Sequence, residues 1–329
     1  MFRPSGIDRA RNPVTIVLAG ERPCAFAAGV NPSLSGPRRV ATSDHPFESE
    51  AGQAPGNRSR GGSNDAAASW ATLDRELGRW RARGKAASFW WRDDDATRPT
   101  AALDRLLDIS RRNNVPVAIA SVPKFLSADL PARLHECPTV AVLQHGFAHQ
   151  NHATGKGEGA WELGLHRGAE RVLGELEDGR RIMQAAFAGK FIPVVAAPWN
   201  RIDRRLFPGL RDLGFIGASA FGERAAPPRL AGFTEANAHL DLLSWKGTPR
   251  FRGVAAALRD ILEHVGRRRL GLADAEEPTG ILSHHLSLDE AAWRFLAELI
   301  GFLARHPGVS WRPAGEVFGP KPAPSGAEA

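Results

Sequence analysis

The residues able to do chemistry fall in a few places. Asp93, Asp94 and Asp95 form a run of carboxylates, and His145 and His149 follow as an H-x-x-x-H pair. Two imidazoles four residues apart face the same way if their segment turns helically, and both can then reach one metal ion. One carboxylate and two imidazoles suit a divalent ion that keeps open positions for water. Such an ion lowers the pKa of water toward about 7 and polarises a carbonyl. A free carboxylate beside it can serve as base, and a separate histidine as acid. His284 and His285 come later in the chain, and His284 is the candidate acid. Plainer readings stand beside these. A run of Asp can cap a helix N-terminus, the H-x-x-x-H pair can lie in an exposed loop, and His284 can be a satisfied core residue.

These side chains need strand ends to hold them. Continuous apolar runs predict buried strands at 87–91, 116–122, 139–143, 192–197, 215–219, 240–245, 280–283 and 308–311. Helical spacing fills most gaps, after a first helix of Trp70, Leu73, Leu77 and Trp80 behind a Ser69 cap. Repeated strand–helix alternation predicts a parallel sheet with helices outside it, and seven or eight units favour a closed barrel over an open sheet. In such folds the chemistry sits at the carboxyl ends of the strands. The three Asp residues, His145, His149, the Pro198-Trp199-Asn200-Arg201 segment, Trp245 and His284 all fall at such ends. No phosphate-cradling glycine loop follows any strand, which argues against a nucleotide site.

Composition sets the outer limits. Residues 1–67 are rich in Gly, Pro and Ser without apolar period, so a disordered N-terminal extension is expected there. Residues 68–315 then hold one barrel domain, and 316–329 read as a disordered polar tail. Two cysteines, Cys24 and Cys137, exclude a disulfide scaffold and a Cys-rich zinc module. No run of 18 apolar residues occurs, so no membrane helix is expected. The apolar patch at 14–19 runs straight into Glu21 and Arg22, a poor signal-peptide core, which favours a cytoplasmic location. The net charge of +7 comes from 37 Arg and 6 Lys scattered among 36 acids. That pattern reads as coding bias, and no nucleic-acid partner is expected.

Taken in order, the motifs resemble those of the polysaccharide deacetylases, the NodB-homology group of carbohydrate esterases (family 4). That family's T-F-D-D-G-P falls on Trp91-Arg92-Asp93-Asp94-Asp95-Ala96. Without gaps, the resemblance makes Asp93 the catalytic base and Asp94 the metal-binding Asp; a shift of one residue would use Asp94 and Asp95. H-S-x-x-H falls on His145 to His149, which implies that both bind the metal. R-x-P-Y falls on Ala196-Ala197-Pro198-Trp199, D-x-x-D-W on Asp241 to Trp245, and L-x-H on Leu282-Ser283-His284. By this resemblance His284 is the acid, the Trp199 N–H holds the oxyanion, and Pro198 and Trp245 border the substrate. The family Arg that positions the base is Ala196 here, and Arg92 or Arg201 could replace it. The fold implied is a distorted (β/α)7 barrel. The activity implied is metal-dependent removal of acetyl groups from N-acetylated sugars or polysaccharide, with zinc or another divalent ion as cofactor and carbohydrate as partner. The departures at Ala196 and Ser244 motivate an alternative, a catalytically altered or inactive carbohydrate-binding barrel. A non-haem iron oxygenase also uses two His and one carboxylate, but usually on an all-β fold.

Overall fold

The computed structural model describes residues 69–155, 159–227 and 229–319. The expected disordered extension at 1–67 lies outside the described residues. The chain enters through α1 (Trp70–Arg81), where the Ser69 side chain accepts the Thr72 N–H and caps the helix. β1 (Ala87–Ala96) follows, then α2 (Ala101–Asn113), capped by Thr100 and ended by Asn114 in a left-handed conformation. Next come β2 (Val117–Ser121), α3 (Leu130–His135), β3 (Val140–His145), α4 (Ala169–Phe187) and β4 (Phe191–Ala196). The second half holds α5 (Phe207–Asp212), β5 (Gly217–Ser219), β6 (Thr234–Glu235), β7 (Leu240–Asp241), β8 (Leu243–Ser244) and β9 (Arg250–Phe251). It closes with α6 (Val254–Leu270), β10 (Thr279–Ser283), α7 (Glu290–Arg305), β11 (Val309–Trp311) and α8 (Ala314–Phe318).

Nine strands form one sheet in the order β6-β5-β4-β3-β2-β1-β10-β7, with β11 beside β1. Every pairing in it is parallel. The sheet curls into a half-barrel whose two margins meet on the chain from β6 to β7: Ala236 and Ala238 N–H donate to the Ala218 and Ala220 carbonyls of β5 and the residue after it, and His239 N–H donates to the Gly280 carbonyl of β10. The expected distorted (β/α) barrel is found, with a weak seam where β6 and β7 have two residues each.

β1 is the central strand, and its alternation sorts the two cores. Phe89 and Trp91 join the outer layer with Leu73 and Leu77 of α1, Leu103 of α2, Ile261 of α6 and Leu299 of α7. Trp90 points to the other face, among Ala118, Ala120, Leu143, Val194 and Phe318. Small residues on β2 leave room there for the indole, whose N–H donates to the Asn237 carbonyl.

Three expectations shift. The run at 240–245 is not one strand: the Asp241 carboxylate accepts the Leu243 N–H and turns the chain, so β7 joins the large sheet and β8 pairs antiparallel with β9. β1 runs on to Ala96 and carries all three Asp residues within it. The folded part reaches past the expected boundary at 315, because α8 ends in a buried Phe318 that packs edge-on against Trp90.

Candidate metal centre

Strand parity decides which Asp does what. Trp91 and Asp93 face the helix layer, and Trp90, Arg92 and Asp94 face the interior. Asp93 is fully buried and away from the cleft. It accepts bonds from the Ser283 hydroxyl (2.6 Å) and the His285 N–H (3.1 Å), and its other oxygen meets His285 Nδ1 at 2.5 Å. It ties β1 to the end of β10. The Asp93 carboxylate pulls the His285 pKa up, although burial opposes this.

Arg92 and Asp94 form a buried ion pair on the inner face. Arg92 Nε lies 3.0 Å from Asp94 Oδ1, and a terminal nitrogen donates to Oδ2 at 3.1 Å. The guanidinium is fixed further by the Ser219 hydroxyl at the end of β5 and by the Asn200 side chain. Asp95 breaks the alternation. Its φ is 74°, and the ladder to β2 slips between Asp93 and Ala96. This conformation, which Asp tolerates better than most residues, turns the carboxylate toward two imidazoles. Asp95 Oδ1 lies 3.2 Å from His145 Nε2 and 3.5 Å from His149 Nε2.

His145 ends β3, where its Nδ1–H donates to the Ala196 carbonyl at 3.1 Å. That bond fixes the tautomer and leaves the Nε2 lone pair for a ligand. His149 sits in a loop rather than on the helical turn expected from its spacing. The loop wraps a single carboxylate, Glu162, which accepts the N–H groups of Phe147, Ala148 and His149. Gly146 makes the turn with φ 57°, and a Cβ there would lie 2.1 Å from Glu162 Oε2. Nothing in the sequence marked Glu162. It stands 13 residues after His149, within Trp-Glu-Leu, and follows no spacing rule.

His284 completes the group from β10. Its Nε2 lies 4.0 Å from Asp94 Oδ2, and its Nδ1 lies 3.9 Å from Asp241 Oδ1. Asp241 also accepts the Trp245 indole N–H at 2.7 Å, and the Trp245 ring meets His284 edge-on. Trp199 packs on the His149 ring at 4.3 Å. Trp199 is 36 % exposed and Trp245 48 %, so both offer open aromatic surface. The cleft between them measures about 280 Å³.

The ungapped alignment is therefore corrected by one residue. Asp95, not Asp94, groups with His145 and His149, and Asp94, not Asp93, borders the cleft. Arg92 stands against Asp94. Arg201 lies instead over the Trp161 ring, with a bond to the Ala160 carbonyl. Pro198 is buried and backs Gly146, and His285 belongs to Asp93 rather than to the cleft.

The donor set fits a divalent ion. Ligand atoms of Asp95, His145 and His149 all lie within 4.8 Å of one another. Among the described residues no Arg or Lys pairs with Asp95. Burial would raise its pKa, but His145, His284 and His149 outweigh this and hold it well below the usual carboxylate range. Burial lowers the His149 pKa, helped by His145, and favours the neutral, ligating ring. His145 moves the other way: burial lowers its pKa, but Asp94 and Asp95 raise it more. A cation at the centre would replace the proton these carboxylates attract.

A second group, His239, His264 and Glu277, is buried at the amino ends of β7 and β10, with the rings stacked 3.4 Å apart. It fits a cation poorly. His239 Nδ1 accepts the Gly280 N–H at 3.0 Å, so a neutral ring carries its proton on Nε2. That is the atom near Glu277, at 3.7 Å, and it offers a hydrogen rather than a lone pair.

Among proteins of known sequence, no family model and no curated protein matches this chain. Solved structures do. A Mycobacterium smegmatis protein assigned as a polysaccharide deacetylase is 13% identical, with 71% of this chain and 89% of that one covered, at a TM-score of 0.50. A CE4 esterase from Streptococcus mutans is also 13% identical, covering 72% and 90%, at a TM-score of 0.47. A family 4 carbohydrate esterase from Streptomyces lividans is 12% identical, covering 68% and 91%, at 0.40. At these identities the likeness establishes a shared fold, the α/β fold of the Mycobacterium smegmatis protein, over about 70% of the chain.

Proposed function

We propose that this chain is a metal-dependent hydrolase of the polysaccharide deacetylase family, cleaving the acetamide of N-acetylated sugars. One observation carries the reading. Asp95, His145 and His149 gather three ligand atoms beside a separate carboxylate, Asp94, that Arg92 holds and His284 faces. Asp95, His145 and His149 would hold the ion, zinc or another divalent metal. When bound, the ion acidifies water and polarises the acyl carbonyl.

The remaining work belongs to the chain. Asp94 accepts the proton of the attacking water, and Arg92 keeps its carboxylate oriented for this. His284 Nε2 delivers a proton to the departing amine from the other side of the cleft, with Asp241 Oδ1 3.9 Å from its Nδ1 to orient the ring. The Trp199 N–H, at the turn after Pro198, serves as an oxyanion donor. The open faces of Trp199 and Trp245 suit a sugar ring.

Of the two departures behind the altered-barrel reading, Ser244 stands and Ala196 has a counterpart. Ala196 removes the family's guanidinium from β4, yet Arg92 supplies one to the same carboxylate from β1. Acetate release from N-acetylglucosamine oligomers, assayed with several divalent ions, is the test. Activity should vanish with chelator and return with the ion. Sugar binding without acetate release under every ion would favour the altered barrel instead.

A further inference from the structure

The loop that carries His149 is tied to the scaffold only at its start, where Gly146 N–H donates to the Ala196 carbonyl of β4 and the Phe147 carbonyl accepts from Lys124 N–H. Residues 146–149 follow β3 directly, and both Gly146 and His149 have positive φ, at 57° and 50°. Such a segment would sample many conformations unless something outside it fixed its backbone. Glu162 does this. Its Oε1 accepts from Ala148 N at 2.7 Å and Phe147 N at 3.3 Å, and its Oε2 accepts from His149 N at 3.2 Å. Three successive N–H groups converge on one carboxylate, the arrangement of an anion-binding nest. The carboxylate is internal to the fold, with Glu162 1 % exposed.

Its surroundings are built for this contact. The side of Gly146 facing Glu162 has no room for a Cβ, so loop and carboxylate meet at backbone distance. On its other side Pro198 closes the same corner, 2.5 Å from where that Cβ would be. The Glu162 carbonyl accepts from Arg167, whose guanidinium is also clamped by Glu175, so the residue's own backbone is fixed. Burial pushes the Glu162 pKa up, against the bonds from Ala148 and Phe147 that favour the anion.

We infer that Glu162 is a positioning residue for the metal centre: it sets the backbone of the His149 loop so that His149 Nε2 meets Asp95 and His145. It touches neither substrate nor metal and acts through the His149 main chain. The inference rests on Asp95, His145 and His149 being the ligands, and extends that reading to a residue outside the family motifs.

The test measures metal affinity, not turnover. Wild type, Glu162→Gln and Glu162→Ala are titrated with zinc against a chromophoric chelator, and amide exchange is followed over residues 146–149 in the metal-free proteins. Glu162→Ala should bind zinc about 10- to 100-fold more weakly, the range seen when outer-shell partners of ligands are removed. Exchange at Phe147, Ala148 and His149 should accelerate, with little change elsewhere. Glu162→Gln keeps one acceptor oxygen and turns an NH2 toward the other donors, so it should fall between the two. If Glu162→Ala does not fold, Glu162→Gln decides alone. Unchanged affinity and unchanged loop exchange in a folded variant overturn the inference. Wild-type zinc binding without acetate release would defeat the proposed activity and leave this inference standing. Faster loop exchange with no zinc bound by wild type would defeat the metal role itself.

Discussion

At the scale of single residues, the run of three Asp divides into three jobs. Asp93 ties two strands, Asp94 borders the cleft and is the base in the proposed reaction, and Asp95 groups with the histidines. The two alignments make opposite predictions. Asp95→Asn should lose metal while the protein stays folded. Asp94→Asn should keep metal and lose roughly 10²- to 10⁴-fold in kcat, the usual worth of a positioned base. Asp93→Asn should keep metal and most activity, but lose roughly 1–3 kcal/mol of stability from a disturbed buried network. Metal content, acetate kinetics and denaturant unfolding on the three variants read this out. Loss of metal in Asp94→Asn with retention in Asp95→Asn would restore the ungapped alignment. The sequence could name the cluster because carboxylates and imidazoles are conspicuous at strand ends. It could not set the parity, which depends on Trp90 and Trp91 choosing opposite cores, nor the left-handed turn at Asp95. Two large apolar neighbours in a row give no signal of which faces in.

At the scale of elements, β1 is more than a spacer. It carries its own guanidinium two residues before the proposed base, so Arg92 and Asp94 share one face of one strand. Ser219 and Asn200, from the ends of two other elements, lock the Arg92 fork. Lys has a single ammonium and cannot reproduce a planar fork that bonds Asp94, Ser219 and Asn200 at once. Arg92→Lys should therefore lower kcat at least about tenfold, leaving metal content unchanged and KM little changed, because only the base is misaligned. Equal kcat in a folded Arg92→Lys protein would remove the positioning role. Strands and helices were the most legible level: apolar runs found β1 to β5, β10 and β11, and helical spacing found α1, α2 and α4 to α7. The turn at Asp241 was not legible, because its cause is one side-chain bond to the Leu243 N–H inside a continuous apolar run. The Glu162 contact was hidden for the same reason.

At the scale of the whole molecule, two buried histidines give stability opposite slopes with pH. His285 gains a proton-favouring partner in Asp93, and its folded pKa lies above its ordinary 6.5. Its contribution is complete below 6.5 and is lost as pH rises through that higher value. His264 is the reverse case. Burial, then His239, Arg268 and Arg267, push its pKa down to about 2. Below 6.5 the unfolded chain binds a proton that the folded chain refuses, so stability falls with acid by up to roughly 1.4 kcal/mol per pH unit. Against a typical total of about 5–15 kcal/mol, that slope alone makes acid unfolding steep. The expected result follows by difference. Replacing His264 with Gln should flatten the fall in denaturant stability between pH 6 and pH 4. The same substitution at His285 should flatten the fall above 6.5 and leave the acid limb alone. The two sites lie at opposite ends of β10; the His264 slope reports the packed sheet, whereas His285 also feels the Asp95 carboxylate. Parallel acid limbs in wild type and His264→Gln would mean that the stacked His239–His264 pair accepts protons in the folded state, and the account of that buried corner would fail.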